Sequence, residues 1–378
     1  MSSSRKAVVT ASALTLCLAA LGSVPEAHAQ GCVASRLNAP AGPTDPEGND
    51  YYLPQGQWQA TFGYRNYMSH RHFVGSIEQD GSPQAVEGDR SKNEVINHVN
   101  IPEVLLSYGV SDRFGLTLDV PIDIFERRNP WRAASATSPA VPAVYTTADG
   151  IGDVSLVSQF WVANPKTSGS QNLSLGLGIK LPTGQDDVQG TFLQVVHGAL
   201  QDYVHAVDQS IQPGDGGFGI IAEVQAFKTF GQVTAYASGQ YLFNPRGTNG
   251  VLTARSDPNE AVMSVADQFG ARIGAGMPLK FVSGLAVSLG GRLEGVPSSD
   301  VFGSSAGFRR PGYSIAIEPG VSYTWKKSAL SFSFPYFVRR DRTQSYADKL
   351  ASAATGTFVN GDAAFADYEW IFGFTRRF

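Results

Sequence analysis

Cysteine is nearly absent from this sequence: its 378 residues include two, Cys17 and Cys32. Cys17 lies in a segment expected to be removed, so Cys32 stands alone and an intramolecular disulfide is excluded from the mature chain. A charge excess is lacking as well. Lys and Arg total 29 against 33 Asp and Glu, a formal net charge of −4 that offers nucleic acid no basic surface. Beyond the N-terminal segment, no stretch is apolar for long enough to form a membrane helix. Histidine never stands at ligand spacing with an acid or a cysteine: His70 and His72 form Ser-His-Arg-His by themselves, and His98, His197 and His205 are scattered. Neither a metal nor another cofactor is expected. A serine-nucleophile motif is missing too. Asn97-His98-Val99-Asn100 is the one candidate in which a histidine has asparagine neighbours, and alone it makes no catalytic set, so the chain is not expected to be an enzyme.

Glycine, by contrast, is abundant at 41 residues, which suits tight turns and close strand packing. The chain opens with Arg5 and Lys6, an apolar run from Ala7 to about Leu21, and Ala27-His28-Ala29, the pattern of a secretory signal cleaved near Ala29. Residues 30–56, with Pro40, Pro43, Pro46 and Pro54, show no period and read as an irregular leader. From 57 to 378 the chain alternates between apolar and polar positions. Twelve segments of period two follow one another: 57–67, 98–110, 114–122, 150–162, 173–181, 218–230, 232–243, 267–277, 285–295, 313–325, 329–339 and 362–378. In the fifth, Leu173, Leu175, Leu177, Ile179 and Leu181 alternate with Ser174, Gly176, Gly178 and Lys180, so arginine should damage position 177 while serine should be tolerated at 178. In the last, Tyr368, Trp370, Phe372, Phe374, Arg376 and Phe378 form one face.

Long connections at 66–97, 123–149, 183–217, 244–266, 296–312 and 340–361 alternate strictly with tight turns. Aromatics gather near the strand ends: Trp58, Tyr108, Phe160, Trp161, Phe230, Trp325 and Phe378 on the turn side, Tyr64, Phe243, Tyr313 and Tyr336 on the loop side. Segregated loop lengths and two aromatic girdles are the plan of an all-β transmembrane antiparallel barrel, with short periplasmic turns, long extracellular loops and outer-membrane lipid around it. Pro121, Pro182 and Pro335 come late in strands running toward the long loops. Proline cannot donate to a ladder, so these positions are expected to mark where pairing ends.

An Arg or Lys facing lipid near mid-membrane costs roughly 2–4 kcal/mol, so strand charges are expected inside. The register points Glu103, Asp119, Asp153, Glu223, Glu294, Glu318, Asp367 and Glu369 inward, with Lys180, Arg272, Arg292 and Arg339. Acids outnumber bases. That describes either a cation-favouring passage or a packed lumen of paired charges, since twelve strands lie between small filled barrels and wide open ones. The other inward positions are mostly Gly, Ser, Thr and Gln, without an aromatic ladder. The loop from Gln185 to Gly217 carries Phe192, Leu193, Leu200 and Tyr203, apolar enough to fold inward as a constriction or to pack at the rim.

Three short motifs, Gly152-Asp153-Val154, Leu175-Gly176-Leu177-Gly178-Ile179-Lys180-Leu181-Pro182-Thr183-Gly184 and Tyr108-Gly109-Val110-Ser111-Asp112-Arg113-Phe114, resemble the outer-membrane transporter family associated with the meta-cleavage pathway of phenol degradation. The resemblance covers most of the barrel. It implies a channel or transporter in a Gram-negative outer membrane whose solutes are small molecules, aromatic or otherwise hydrophobic. The last strand resembles the closing strand of bacterial outer-membrane barrels, which implies that Phe378 is a recognition signal for the barrel assembly machinery. A structural or adhesive barrel and a lipid-modifying barrel enzyme are the alternative functions.

Overall fold

The computed structural model describes residues 52–79, 94–130, 134, 139–255 and 257–378; the expected signal segment, 1–29, and the leader as far as residue 51 lie outside the described residues. In chain order the elements are β1 (Trp58–Val74), β2 (Ile77–Gln79), β3 (Ile96–Gly109), β4 (Phe114–Asn129), β5 (Val144–Ile151), β6 (Ser155–Trp161), β7 (Gln171–Lys180), β8 (Gln189–Val196), β9 (Ala199–Ala206), β10 (Gly219–Phe230) and β11 (Val233–Phe243). They continue with β12 (Thr248–Leu252), β13 (Val262–Ser264), β14 (Gln268–Pro278), β15 (Leu285–Val296), β16 (Gly312–Trp325), β17 (Ser328–Ser333), β18 (Tyr336–Arg342), α1 (Tyr346–Thr355) and β19 (Ala363–Arg377).

β5 with β6, and β17 with β18, each make one interrupted strand, so the wall is a closed antiparallel barrel of 12 strands. β19 returns to β1 with Gln59 opposite Arg377, Tyr64 opposite Phe372 and Phe73 opposite Ala363. Closure leaves no edge in the wall, as a backbone in lipid requires. Three short pieces stand outside it: β2 folds back on β1, β8 pairs with β9 in the loop after β7, and β12 pairs with β13 in the loop after β11. The tight turns share one end; between β10 and β11 the chain reverses through Gly231 at φ 64°, a conformation that glycine adopts without a Cβ penalty.

Period two decides which face meets lipid. Leu173, Leu175, Leu177 and Ile179 point outward, with Leu177 63% exposed, and Phe62, Val104, Leu118, Phe372 and Phe374 do the same on their strands. Several expectations change in detail. β1 runs on to Val74, and β4 runs on to Asn129 where it pairs with β5, so the loops expected at 66–97 and 123–149 are partly ladder. Lipid ends the apolar alternation, but hydrogen bonding continues into water. Pro121 does not end pairing: its carbonyl accepts the Gly152 N–H (2.9 Å) where β5 gives way to β6. Pro335 separates β17 from β18, after which pairing resumes, and Pro182 does follow the end of β7. Trp161 is no girdle residue. It is 3% exposed and faces inward, as its parity with Ser155, Val157 and Gln159 requires.

Serine at 178 is not accommodated either. A Cβ on Gly178 would stand 2.7 Å from the Leu156 carbonyl oxygen and 3.0 Å from Val157 Cα, because the β6 backbone passes directly beside it. The connection at 340–361 contains α1. Ser345 caps it by accepting from the Asp348 N–H while Asp348 accepts from the Ser345 N–H, and Gly356 ends it in the left-handed region at φ 68°.

Candidate functional site

The inward charges sort into two groups on opposite sides of the barrel. On the side formed by β14, β15, β16, β19 and β1 they neutralise one another. Arg65 donates to Glu369 (Nε to Oε2, 3.0 Å) and to Glu294 (Nη2 to Oε2, 3.1 Å). Arg292 reaches Glu294 at 3.5 Å and Glu318 at 3.2 Å, and Arg272 donates to Glu318 at 2.7 Å. Three guanidinium groups thus meet three carboxylates, and all six residues are buried. Paired charges of this kind fill space without adding field, and each pair is sustained only while both members are present. Arg65 was absent from the expected inward set although its parity with Gln59, Thr61 and Gly63 indicates it.

Among the described residues, β1, β3, β4, β6, β7, β10, β11, β14, β17 and β19 line a cavity of about 450 Å³, and none of the six network residues lines it. Glu103, Asp119, Asp153, Lys180 and Glu223 do, joined by Asp123 and Asp215. Lys180 donates to Asp153 (2.9 Å) and to Asp215, so its charge is already engaged. Gly176 sits opposite Glu223 and leaves its side chain room, since a Cβ there would stand 2.9 Å from Glu223 Cβ. Two acceptor atoms in this wall, Asp119 Oδ1 and Gln240 Oε1, are buried without a hydrogen-bond partner.

Apolar clusters border the cavity toward each end. Near the tight turns, Trp161, Phe227 and Tyr236 cluster with Tyr52 against them, and Trp161 meets Phe227 edge-on at 6.0 Å. Strand-end position predicts lipid contact for Trp161, but its inward parity puts it in this aromatic cluster. Near the long loops, Val207 and Ile211 enter the barrel and pack among Tyr67, Val99, Ile101 and Phe125. A short 3-10 turn, Gln209–Ile211, carries Ile211, and Asp208 anchors it by pairing with Arg310 (3.0 Å) and Arg127 (3.4 Å). Burial works against the charge on Asp208, yet Arg127 and Arg310 together hold its carboxyl well below the usual carboxylate range.

Outside this seal lies a second cavity of about 320 Å³, lined by Phe192, Leu193, Tyr203, Val141, Met263 and Phe308 among others. Phe308 forms part of its base beneath Arg255, whose guanidinium lies 3.8 Å from the ring centroid. Burial lowers the His205 side chain from its ordinary value, and its ring stacks on Phe192 at 4.9 Å. Gln209 lines both cavities.

The loop after β7 therefore folds inward through its return segment, not through the residues expected to constrict it. Phe192, Leu193 and Tyr203 face the outer cavity, and Leu200 is exposed and lines neither cavity. Alternation within the hairpin hid this, because the occluding Val207 and Ile211 follow it in a stretch with no period. Arg339 is outward, with its side chain 56% exposed: pairing slips by one residue between Ile315 and Ala316, and Arg340 takes the buried place. Asp367 stands at a second irregularity, partly exposed, bridging Arg71 (2.7 Å) and Arg340 (3.0 Å). Phe378 is exposed at the turn-side rim and donates its N–H to the Trp58 carbonyl (2.9 Å). Asn97 is buried against Ser69 and Arg127 while His98 is exposed on the opposite face of β3, and Asn100, on the His98 face, accepts from Tyr64 (2.7 Å) and Asn66 (2.9 Å). His72 is held by Asp362 at 2.8 Å, and among the described residues no three His, Cys, Asp or Glu side chains converge to hold a metal.

No protein-family model matches the chain, and no curated protein matches its sequence. Solved structures do resemble it. The outer membrane channel of the COG4313 group from Pseudomonas putida F1 superposes with a TM-score of 0.52 at 12% identity, over 90% of this chain and 100% of that one. The P. putida toluene transporter TodX gives 0.45 at 9% identity, over 88% and 92%. The translocator domain of the autotransporter NalP from Neisseria meningitidis gives 0.44 at 9% identity, over 88% and 91%. At such identities what the chain shares with the COG4313 channel is its architecture, a closed β-barrel of the bacterial outer membrane.

Proposed function

We propose that this protein is an outer-membrane channel for small molecules with an apolar, in particular aromatic, body. The observation that carries the reading is the pair of cavities meeting at Gln209: an apolar pocket facing the outside and a larger chamber inside the barrel, parted by one short turn. A solute crossing lipopolysaccharide poorly would leave water in the outer pocket against Phe192, Leu193 and Tyr203, where burying apolar surface is worth roughly 25 cal/mol per Å². Displacing Ile211 and Val207 from their packing would join the pocket to the chamber. The toluene transporter and the COG4313 channel among the structural neighbours are in keeping with such a role.

Uptake of labelled toluene by porin-depleted Gram-negative cells, with and without this protein, tests the reading. Expression should speed uptake, and replacing Phe192 and Tyr203 together by aspartate should abolish the gain. Equal uptake with and without the protein would favour a structural barrel.

A further inference from the structure

The chamber wall is unbalanced in a way that passage of a neutral hydrocarbon does not call for. Six carboxylates line it, Glu103, Asp119, Asp123, Asp153, Asp215 and Glu223, against two cations, Lys180 and Arg377. Lys180 is engaged by Asp153 and Asp215, and Arg377 donates to Gln59 at 3.0 Å near the barrel floor. Among the described residues no other cation lines the chamber. Two acceptors carry the point: Asp119 Oδ1 and the Oε1 of Gln240, a residue only 8% exposed, are buried and accept no hydrogen bond. A buried acceptor without a donor costs about 1–3 kcal/mol, more for a charged one, and is retained where a guest supplies the donor.

Register sets these acceptors in two groups on the chamber wall, with β6 and β7 between them. Glu223 lies directly opposite Gln240 on β10 and β11, and Asp119 lies opposite Leu105, one inward step from Glu103 on β3. The carboxylates do not converge as metal ligands do, for no group of three close enough to hold a metal ion occurs among the described residues. Spread acceptors around a chamber that also presents Ile101, Leu105, Val157, Ile221 and Phe227 match a bulkier guest, with a positive donor head and an apolar body.

Resting on the channel reading above, we infer that the chamber selects small aromatic ammonium compounds: the protonated amine donates to Asp119, Glu223 and Gln240, and the ring lies on the apolar part of the wall. Equilibrium binding to the purified, full-length protein in detergent tests this with three probes of one shape, benzylammonium, benzyl alcohol and benzoate, at pH 7. Two charge-assisted hydrogen bonds gained over the alcohol predict benzylammonium to bind at least about tenfold more tightly, with benzoate weakest. Asp119→Asn combined with Glu223→Gln should erase that preference in protein that still shows heat-dependent migration in SDS gels. Should the double variant not fold, the ranking of the three probes on the unaltered protein decides alone. Benzylammonium binding no better than benzyl alcohol would overturn this inference while toluene uptake still tests the channel. A preference that survives both substitutions would overturn it equally.

Discussion

Arg65→Leu should expose how the closed half of the barrel is held together. In the intact protein its guanidinium bridges Glu369 (2.6 Å) and Glu294 (3.1 Å), residues 0% and 2% exposed. Leucine occupies similar space but strands Glu369, while Glu294 keeps Arg292 at 3.5 Å. Leaving a buried carboxylate without its partner costs about 3–5 kcal/mol. The expected loss is therefore about 3–5 kcal/mol at pH 7. Adding Glu369→Gln should recover most of it at pH 7, because the stranded charge is then gone. Urea unfolding in lipid vesicles, followed by tryptophan emission and by unheated gel migration, measures both variants. A loss under about 1 kcal/mol at pH 7, or no recovery on adding Glu369→Gln, would refute the account of the network as mutually neutralised charge.

Leu177→Arg should cost about 2–4 kcal/mol in the same unfolding assay, as its side chain lies in lipid, whereas Leu177→Ile should be nearly neutral. Gly178→Ser should lower the yield of folded barrel despite its inward position, and normal yield would show that β6 can move away. Asp208→Asn removes the charge that Arg127 and Arg310 hold over the seal, so planar-bilayer conductance should rise; deleting residues 191–204 should leave conductance nearly unchanged, because that hairpin stands outside the seal. At the extracellular rim, burial pushes Asp362 up, but the hydrogen bond and charge of His72, aided by Arg310 and Arg342, more than offset this and leave it at about 2. A carboxyl lowered on folding contributes stability that is full above the unfolded value near 3.8 and is lost as pH falls through about 2. Hydrogen exchange near Ala363 should therefore accelerate below about pH 4, and His72→Asn should flatten that dependence.

Strand number, the lipid-facing residues and the side carrying the long loops were all legible in the sequence, for one physical reason. Lipid and lumen impose opposite demands on adjacent residues, so Leu173 to Leu181 and Tyr368 to Phe378 record the wall two residues at a time. The same parity already contains Arg65, on the face of Gln59, Thr61 and Gly63, and Trp161, on the face of Ser155, Val157 and Gln159. What alternation cannot encode is where its count slips. The irregularity beside Ala316 exchanged Arg339 for Arg340, and the one near Asp367 drew that residue to the rim. The stretch holding Asp208 and Ile211 carries no period of two, so Ile211 within the barrel and Asp208 between Arg127 and Arg310 arise only from contacts across long sequence separations, whereas α1 has local caps in Ser345, Asp348 and Gly356. The division of the lumen was likewise tertiary. Nothing local distinguishes Glu294, Glu318 and Glu369 from Glu103, Asp119 and Glu223; the first three meet Arg65, Arg272 and Arg292 because β14, β15 and β16 stand side by side and β19 closes on β1, and the second three line the chamber.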